Sequence, residues 1–111
     1  MNSTSTKEQI SFNEFLELEK KLDIKIGQIV DAKRVPKSFG LELTVSFGPS
    51  GETKTAFTNL GKDHEPEALI GLFAPFILNL EPSEIKGVKS EVMILAIPQA
   101  NNIFAMGTKI L

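Results

Sequence analysis

The 111-residue sequence contains no cysteine, which excludes a disulfide scaffold, a thiol nucleophile and every thiolate metal site. A single histidine, His64, leaves no histidine cluster for zinc. Tryptophan and tyrosine are absent, so eight phenylalanines are the whole aromatic complement. No apolar run approaches the roughly 20 residues that span a bilayer, and the start MNSTSTKEQ is too polar for a signal peptide. No P-loop, G-x-G-x-x-G, G-x-S-x-G or H-E-x-x-H pattern occurs. His64, between Asp63 and Glu65, reads as a solvated loop histidine, and helix-end duty accounts for Glu65 and Glu67. These absences leave a non-catalytic protein with no metal, no cofactor and no membrane insertion, expected to be soluble and cytoplasmic.

What is present is ordinary globular composition, with 41% hydrophobic and 23% charged residues, enough for one core. The Ser/Thr/Asn-rich stretch 1–10 is expected to be a disordered tail before a single domain at 11–111. The net charge of −2 argues against nucleic acid until it is located along the chain. Lys7, Lys20 and Lys21 face Glu8, Glu14, Glu17, Glu19 and Asp23, so the first 23 residues carry all of it. The rest is neutral, and its character depends on where the lysines fall.

In ISFNEFLELEKKLD, Ser11 and Glu14 have capping-box spacing, and Ile10 with Phe15 could form a hydrophobic staple. Phe12, Phe15, Leu16 and Leu22 share a face of the resulting helix, which either packs on its own domain or meets a second subunit. Strand patterns follow: Ile24–Val35 with a bulge expected at Gly27, Leu41–Phe47, and its hairpin partner Glu52–Thr58. Pro66 at a first helical position and Gly71 bracket a short helix, Glu67–Ile70. Leu72–Leu80 reads as a fourth strand, with Pro75 implying an edge or bulge, and Glu81–Ser90 as a charged loop. Val92–Ile97 reads as a buried strand, and Ile103–Leu111 adds a final strand. Five strands with a helix between the third and fourth predict an all-β five-stranded Greek-key barrel, the OB-fold, preceded by an N-terminal helix. A small β-sandwich is the rival.

OB-folds bind ligands on the face of strands 2 and 3, between the first-to-second and fourth-to-fifth strand loops. Lys33, Arg34 and Lys37 fall at or in the first of these loops, Lys86 and Lys89 in the second, and Lys54 on strand 3 between them. Phe39, at the tip of the first loop, is placed to stack on an unpaired base. Glu81, Glu84 and Glu91 dilute the positive charge of the second loop.

The string FLELEKKLDIKIGQIVDA resembles the start of the tRNA-binding domains appended to methionyl-tRNA synthetases and to cytokine-precursor tRNA-binding proteins. NLEPSEIKGVKSEVMILA resembles their second signature, and the similarity returns at Gly107-Thr108-Lys109-Ile110. KSEV at Lys89–Val92 and the compact length are most similar to the CsaA-type branch, described as homodimeric tRNA-binding proteins with export-chaperone activity. The resemblance implies tRNA as partner, in a groove where Ser90 and Met93 stand at the family's Ser-x-x-Met pattern beside Lys86 and Lys89. It also implies a homodimer, with Phe12, Phe15 and Leu16 at the interface. Unfolded polypeptide is the alternative ligand, and docking on a synthetase to present tRNA is a third reading. Two departures stand out: the first loop, Val35–Gly40, lacks the usual acidic-Ala-acidic stretch, and the segment after Ile97 is short.

Overall fold

The computed structural model describes residues 7–98. The first six residues of the expected tail, and the expected final strand at Ile103–Leu111, lie outside them.

Helix α1 spans Phe12–Lys21. Its start is the expected capping box: the Glu14 N–H donates to Ser11 Oγ and the Ser11 N–H to Glu14 Oε1, both at 3.1 Å. The staple residues Ile10 and Phe15 both stay exposed, and the ring of Phe15 stacks against Phe12 at 6.4 Å between centroids. No residue of α1 is fully buried. Asn79 fastens its end to the barrel, accepting from the Asp23 N–H and donating to the Lys21 carbonyl.

Strands β1 (Ile24–Arg34), β2 (Leu41–Ser46), β3 (Thr53–Thr58), β4 (Phe73–Ile77) and β7 (Met93–Ile94) form one antiparallel sheet in the order β3-β2-β1-β4-β7. The sheet curls until its ends meet. Glu91 N–H donates to Thr55 O at 2.8 Å, while the Thr55 and Phe57 amides donate to Glu91 Oε1 and Ser90 Oγ, each at 3.0 Å. Two side chains thus supply acceptors that a further strand would otherwise present, and the outer edge of β3 is sealed. This is the expected OB-type barrel, with helix α2 (Pro66–Leu69) between β3 and β4. Ile29, Leu41, Leu43, Val45, Ala56, Phe76 and Val92 fill it, and Leu69 of α2 joins them, almost fully buried.

The bulge in β1 lies at Val30, where the register against β2 slips between Ile29 and Asp31, and not at Gly27. Ile29 and Ala32 are buried although three residues apart, because the extra residue inverts the alternation and turns Asp31 and Lys33 away from the core. Gly27 has a different task. A Cβ there would lie 2.6 Å from both the Phe47 ring and Val45, so glycine admits the aromatic edge that packs T-shaped on Phe76.

Three further expectations are corrected. Pro75 sits in a strand paired on both sides, neither at an edge nor at a bulge. Its carbonyl accepts from Leu95 N–H, so the nitrogen lacking a hydrogen lies just past the last ladder pair with β7. The charged stretch 81–90 is a hairpin, β5 (Ser83–Ile85) and β6 (Val88–Ser90), turned by Lys86-Gly87 at φ of 50° and 86°. The apolar run 92–97 supplies only the two-residue β7, and Met93 is exposed.

Candidate nucleic-acid interface

The loop after β1 is braced from within. Val35 N–H donates to Gly40 O, Ser38 Oγ donates to Val35 O, and Gly40 N–H donates to Ser38 Oγ. It is also laced to the 3-10 turn Leu60–Lys62 that follows β3. Gly61 N–H donates to Phe39 O at 2.9 Å, and Arg34 Nη1 donates to Gly61 O at 2.9 Å. The second nitrogen of Arg34 meets Glu65 Oε1 at 3.4 Å. Glu65 stands at the N-cap of α2 but makes no capping hydrogen bond, so its carboxylate serves Arg34 and not the helix end.

This bracing holds Phe39 in solvent at 61% exposure. Beside it opens a shallow cavity of about 420 Å³ lined by Lys37, Ser38, Phe39, Asn59, Lys62 and Lys86. Three of the expected site residues, Lys37, Phe39 and Lys86, are therefore brought together from two distant loops. Lys62 and Asn59 join them and were not among the residues singled out from the sequence. The only signal they offered was position, in the Asn-Leu-Gly-Lys turn directly after a strand.

The remaining expected residues are dispersed. Lys33 is exposed on β1 opposite Glu42, and Lys89 lies opposite Glu84 in the hairpin. Lys54 is half-buried near the far end of β3, opposite Val45. Arg34 is occupied by Gly61 and Glu65 as described. Ser90 accepts from Phe57 N–H and donates to Val92 O, which gives its hydroxyl a structural duty in the seam. Glu91 spends its carboxylate on Thr55 N–H, so it is tied to the seam rather than loose in the lysine field.

The other exposed feature is apolar. Phe12 is 72% exposed, and Phe15, Leu18, Leu22 and Ile24 border an open groove of about 490 Å³ on the α1 side. Leu16 is only half-buried. No group of acidic, histidine or cysteine residues able to hold a metal occurs among the described residues, and no helix among them is long and apolar enough to cross a membrane.

The barrel thus carries lysines and a solvent-held aromatic at the mouth between its first loop and the β5–β6 hairpin. A profile of the tRNA binding domain matches residues 24–108. The chain belongs to that family. Methionine–tRNA ligase of Porphyromonas gingivalis is 38% identical over 95 residues, covering 85% of this chain and 13% of the ligase. The ligase of Methanococcoides burtonii is 42% identical over 91 residues, covering 81% and 13%. The chain thus spans about an eighth of the ligases it matches. Chaperone CsaA of Bacillus anthracis superposes with a TM-score of 0.65 at 30% identity, over 88% of this chain and 86% of that one. A MetRS-related protein of Pyrococcus horikoshii shares the fold, with a TM-score of 0.68 at 24% identity over 94% and 95%.

Proposed function

We propose that this tRNA-binding-family domain is a non-catalytic binder of structured RNA, with tRNA as its partner and the mouth between the 35–40 loop and the β5–β6 hairpin as its contact surface. The observation that carries the reading is the convergence of Lys37, Lys62, Lys86 and Phe39 on one cavity. Lys33, Lys54 and Lys89, dispersed over β1, β3 and the hairpin, would extend the phosphate contacts beyond it, with Met93 and Ser90 as further contacts on the β6–β7 side. A cytoplasmic location follows from the partner. Because the chain is nearly neutral, affinity must come from local placement and be sensitive to salt. If about five phosphates are neutralised, log K falls against log salt with a slope of about −3.5 to −4.5. A filter-binding titration with tRNA measures it; a flat salt response, or equal binding to heparin, would refute specific tRNA recognition.

The protein acts as a homodimer in this reading. An isolated ten-residue helix is marginal in water, and no residue of α1 is fully buried within its own chain. A second copy laid on Phe12, Phe15 and Leu16 would remove that face from water and set two RNA-binding mouths on one rigid body, which raises avidity for a folded RNA. Phe12→Ser combined with Phe15→Ser is expected to convert the dimer to a folded monomer in sedimentation equilibrium. A dimer that persists in this variant refutes the interface.

A second reading is supported by the likeness to chaperone CsaA and by the exposed Ile26 and Phe73 bordering a cavity of about 300 Å³. Unfolded polypeptide would be the ligand there. Competition with tRNA discriminates: displacement of tRNA by an unfolded protein means shared sites, and simultaneous binding means separate ones.

A further inference from the structure

Resting on the RNA-binding reading, we propose that the cavity beside Phe39 receives one unpaired nucleotide of the RNA. Its base stacks on Phe39, and its phosphate lies among Lys37, Lys62 and Lys86.

Five observations converge. The lining holds three cations and no carboxylate. Two of the surrounding acidic groups are engaged elsewhere, Glu65 with Arg34 and Glu91 with Thr55 N–H. A ring 61% exposed stands on a loop held by hydrogen bonds at both ends, and base–aromatic stacking requires such a fixed face. Asn59 lines the same space, and its amide makes no capping bond to the turn it begins, leaving a donor and an acceptor for a base edge. Finally, Lys37 and Lys86 are the two non-glycine residues with positive φ among the described residues. Both line this cavity. Left-handed backbone at a lysine is disfavoured, and glycine or asparagine would be the local choice. Strain of this kind gathers where a side chain's direction matters more than local stability.

The volume of about 420 Å³ suits a small ligand and not a duplex. Lysines alone would accept any phosphate backbone. The stacking face selects a base that is not already stacked and paired, and so directs the domain to loops, bulges and ends of RNA.

The absence of tryptophan and tyrosine provides the assay. Phe39→Trp places the protein's only indole at the cavity, on an exposed position where packing is undisturbed. A single-stranded RNA tetranucleotide is expected to quench its emission saturably, while a blunt RNA duplex and inorganic phosphate do not. Adding Lys62→Gln should weaken the quench about 10-fold, and Lys25→Gln, exposed on β1 opposite Phe76, should leave it unchanged. In the otherwise native chain, Phe39→Ala should lower affinity for the tetranucleotide about 10-fold or more. Equal quenching by the duplex, indifference to Lys62→Gln, or displacement of the tetranucleotide by an unfolded polypeptide would overturn the assignment. If the native chain binds tRNA and the indole is not quenched, the nucleotide pocket fails and the RNA-binding reading survives. Quenching by the tetranucleotide without tRNA binding rejects tRNA as the partner and keeps the pocket; loss of both rejects both.

Discussion

Replacing Lys37 and Lys86 together by asparagine is expected to raise the melting temperature by several degrees while lowering tRNA affinity by more than about 100-fold. The opposite signs arise from one geometry. At φ of 60° and 50° both lysines occupy left-handed backbone, which costs an ordinary L-residue about 1–2 kcal/mol and asparagine less. At residue 86 the change also creates Asn-Gly, the preferred pair for the two-residue hairpin turn found there. Relief of about 0.5 kcal/mol at each site gives roughly 1 kcal/mol, or about 4–8 °C in a domain of this size. Neither ammonium takes part in an ion pair among the described residues, so the fold loses nothing with them. A phosphate would lose two charge-assisted partners, each worth about 1.5–3 kcal/mol. Calorimetry and filter binding on the same preparation test both halves. A variant that melts lower, or that binds tRNA as the native protein does, contradicts the assignment of these lysines.

Gly61→Ala is expected to damage stability and binding together. A Cβ at Gly61 would lie 2.4 Å from Phe39 O, the carbonyl that accepts the Gly61 N–H, and 3.0 Å from Arg34 Nη1. The obstructing atom is backbone, so relief requires the 35–40 loop to swing away and carry Phe39 with it. Overpacking of this kind costs about 1–3 kcal/mol, and the cavity loses its aromatic wall. Gly48→Ala is the control, since a Cβ there meets nothing within 4 Å. Thermal melts and tRNA titrations of the pair should separate widely. If Gly61→Ala binds tRNA normally, the position of Phe39 is irrelevant to the site.

Much of the barrel was legible because alternation and turn chemistry are local. Leu41–Phe47 showed its buried side residue by residue, and Ser11 with Glu14 declared the start of α1. The bulge was misplaced because glycine is the usual local signal for one, whereas the slip at Val30 is imposed by how β1 shares itself between β2 and β4. The Lys86-Gly87 turn was hidden by lysine, a residue that seldom takes left-handed backbone. At the site, Lys37, Phe39 and Lys86 followed from the fold, because barrel topology fixes which loops face each other. Lys62 and Asn59 did not. Their approach depends on the Phe39–Gly61 hydrogen bond and the reach of Arg34, contacts between segments 22 and 27 residues apart in sequence. Arg34 itself looks, in sequence, like one more free cation.

The seam along β3 has a dynamic consequence. Its two amides at Thr55 and Phe57 are answered by a carboxylate and a hydroxyl, which can turn away by side-chain rotation without any strand leaving its place. A barrel zipped in this manner can breathe along one line while the rest stays shut. The β5–β6 hairpin, with Lys86 at its tip, hangs directly from that line, so breathing there changes the gap across which Lys86 faces Lys37. Amide exchange at Thr55 and Phe57 should therefore outpace exchange at Leu43, and slow when RNA holds the mouth at one width.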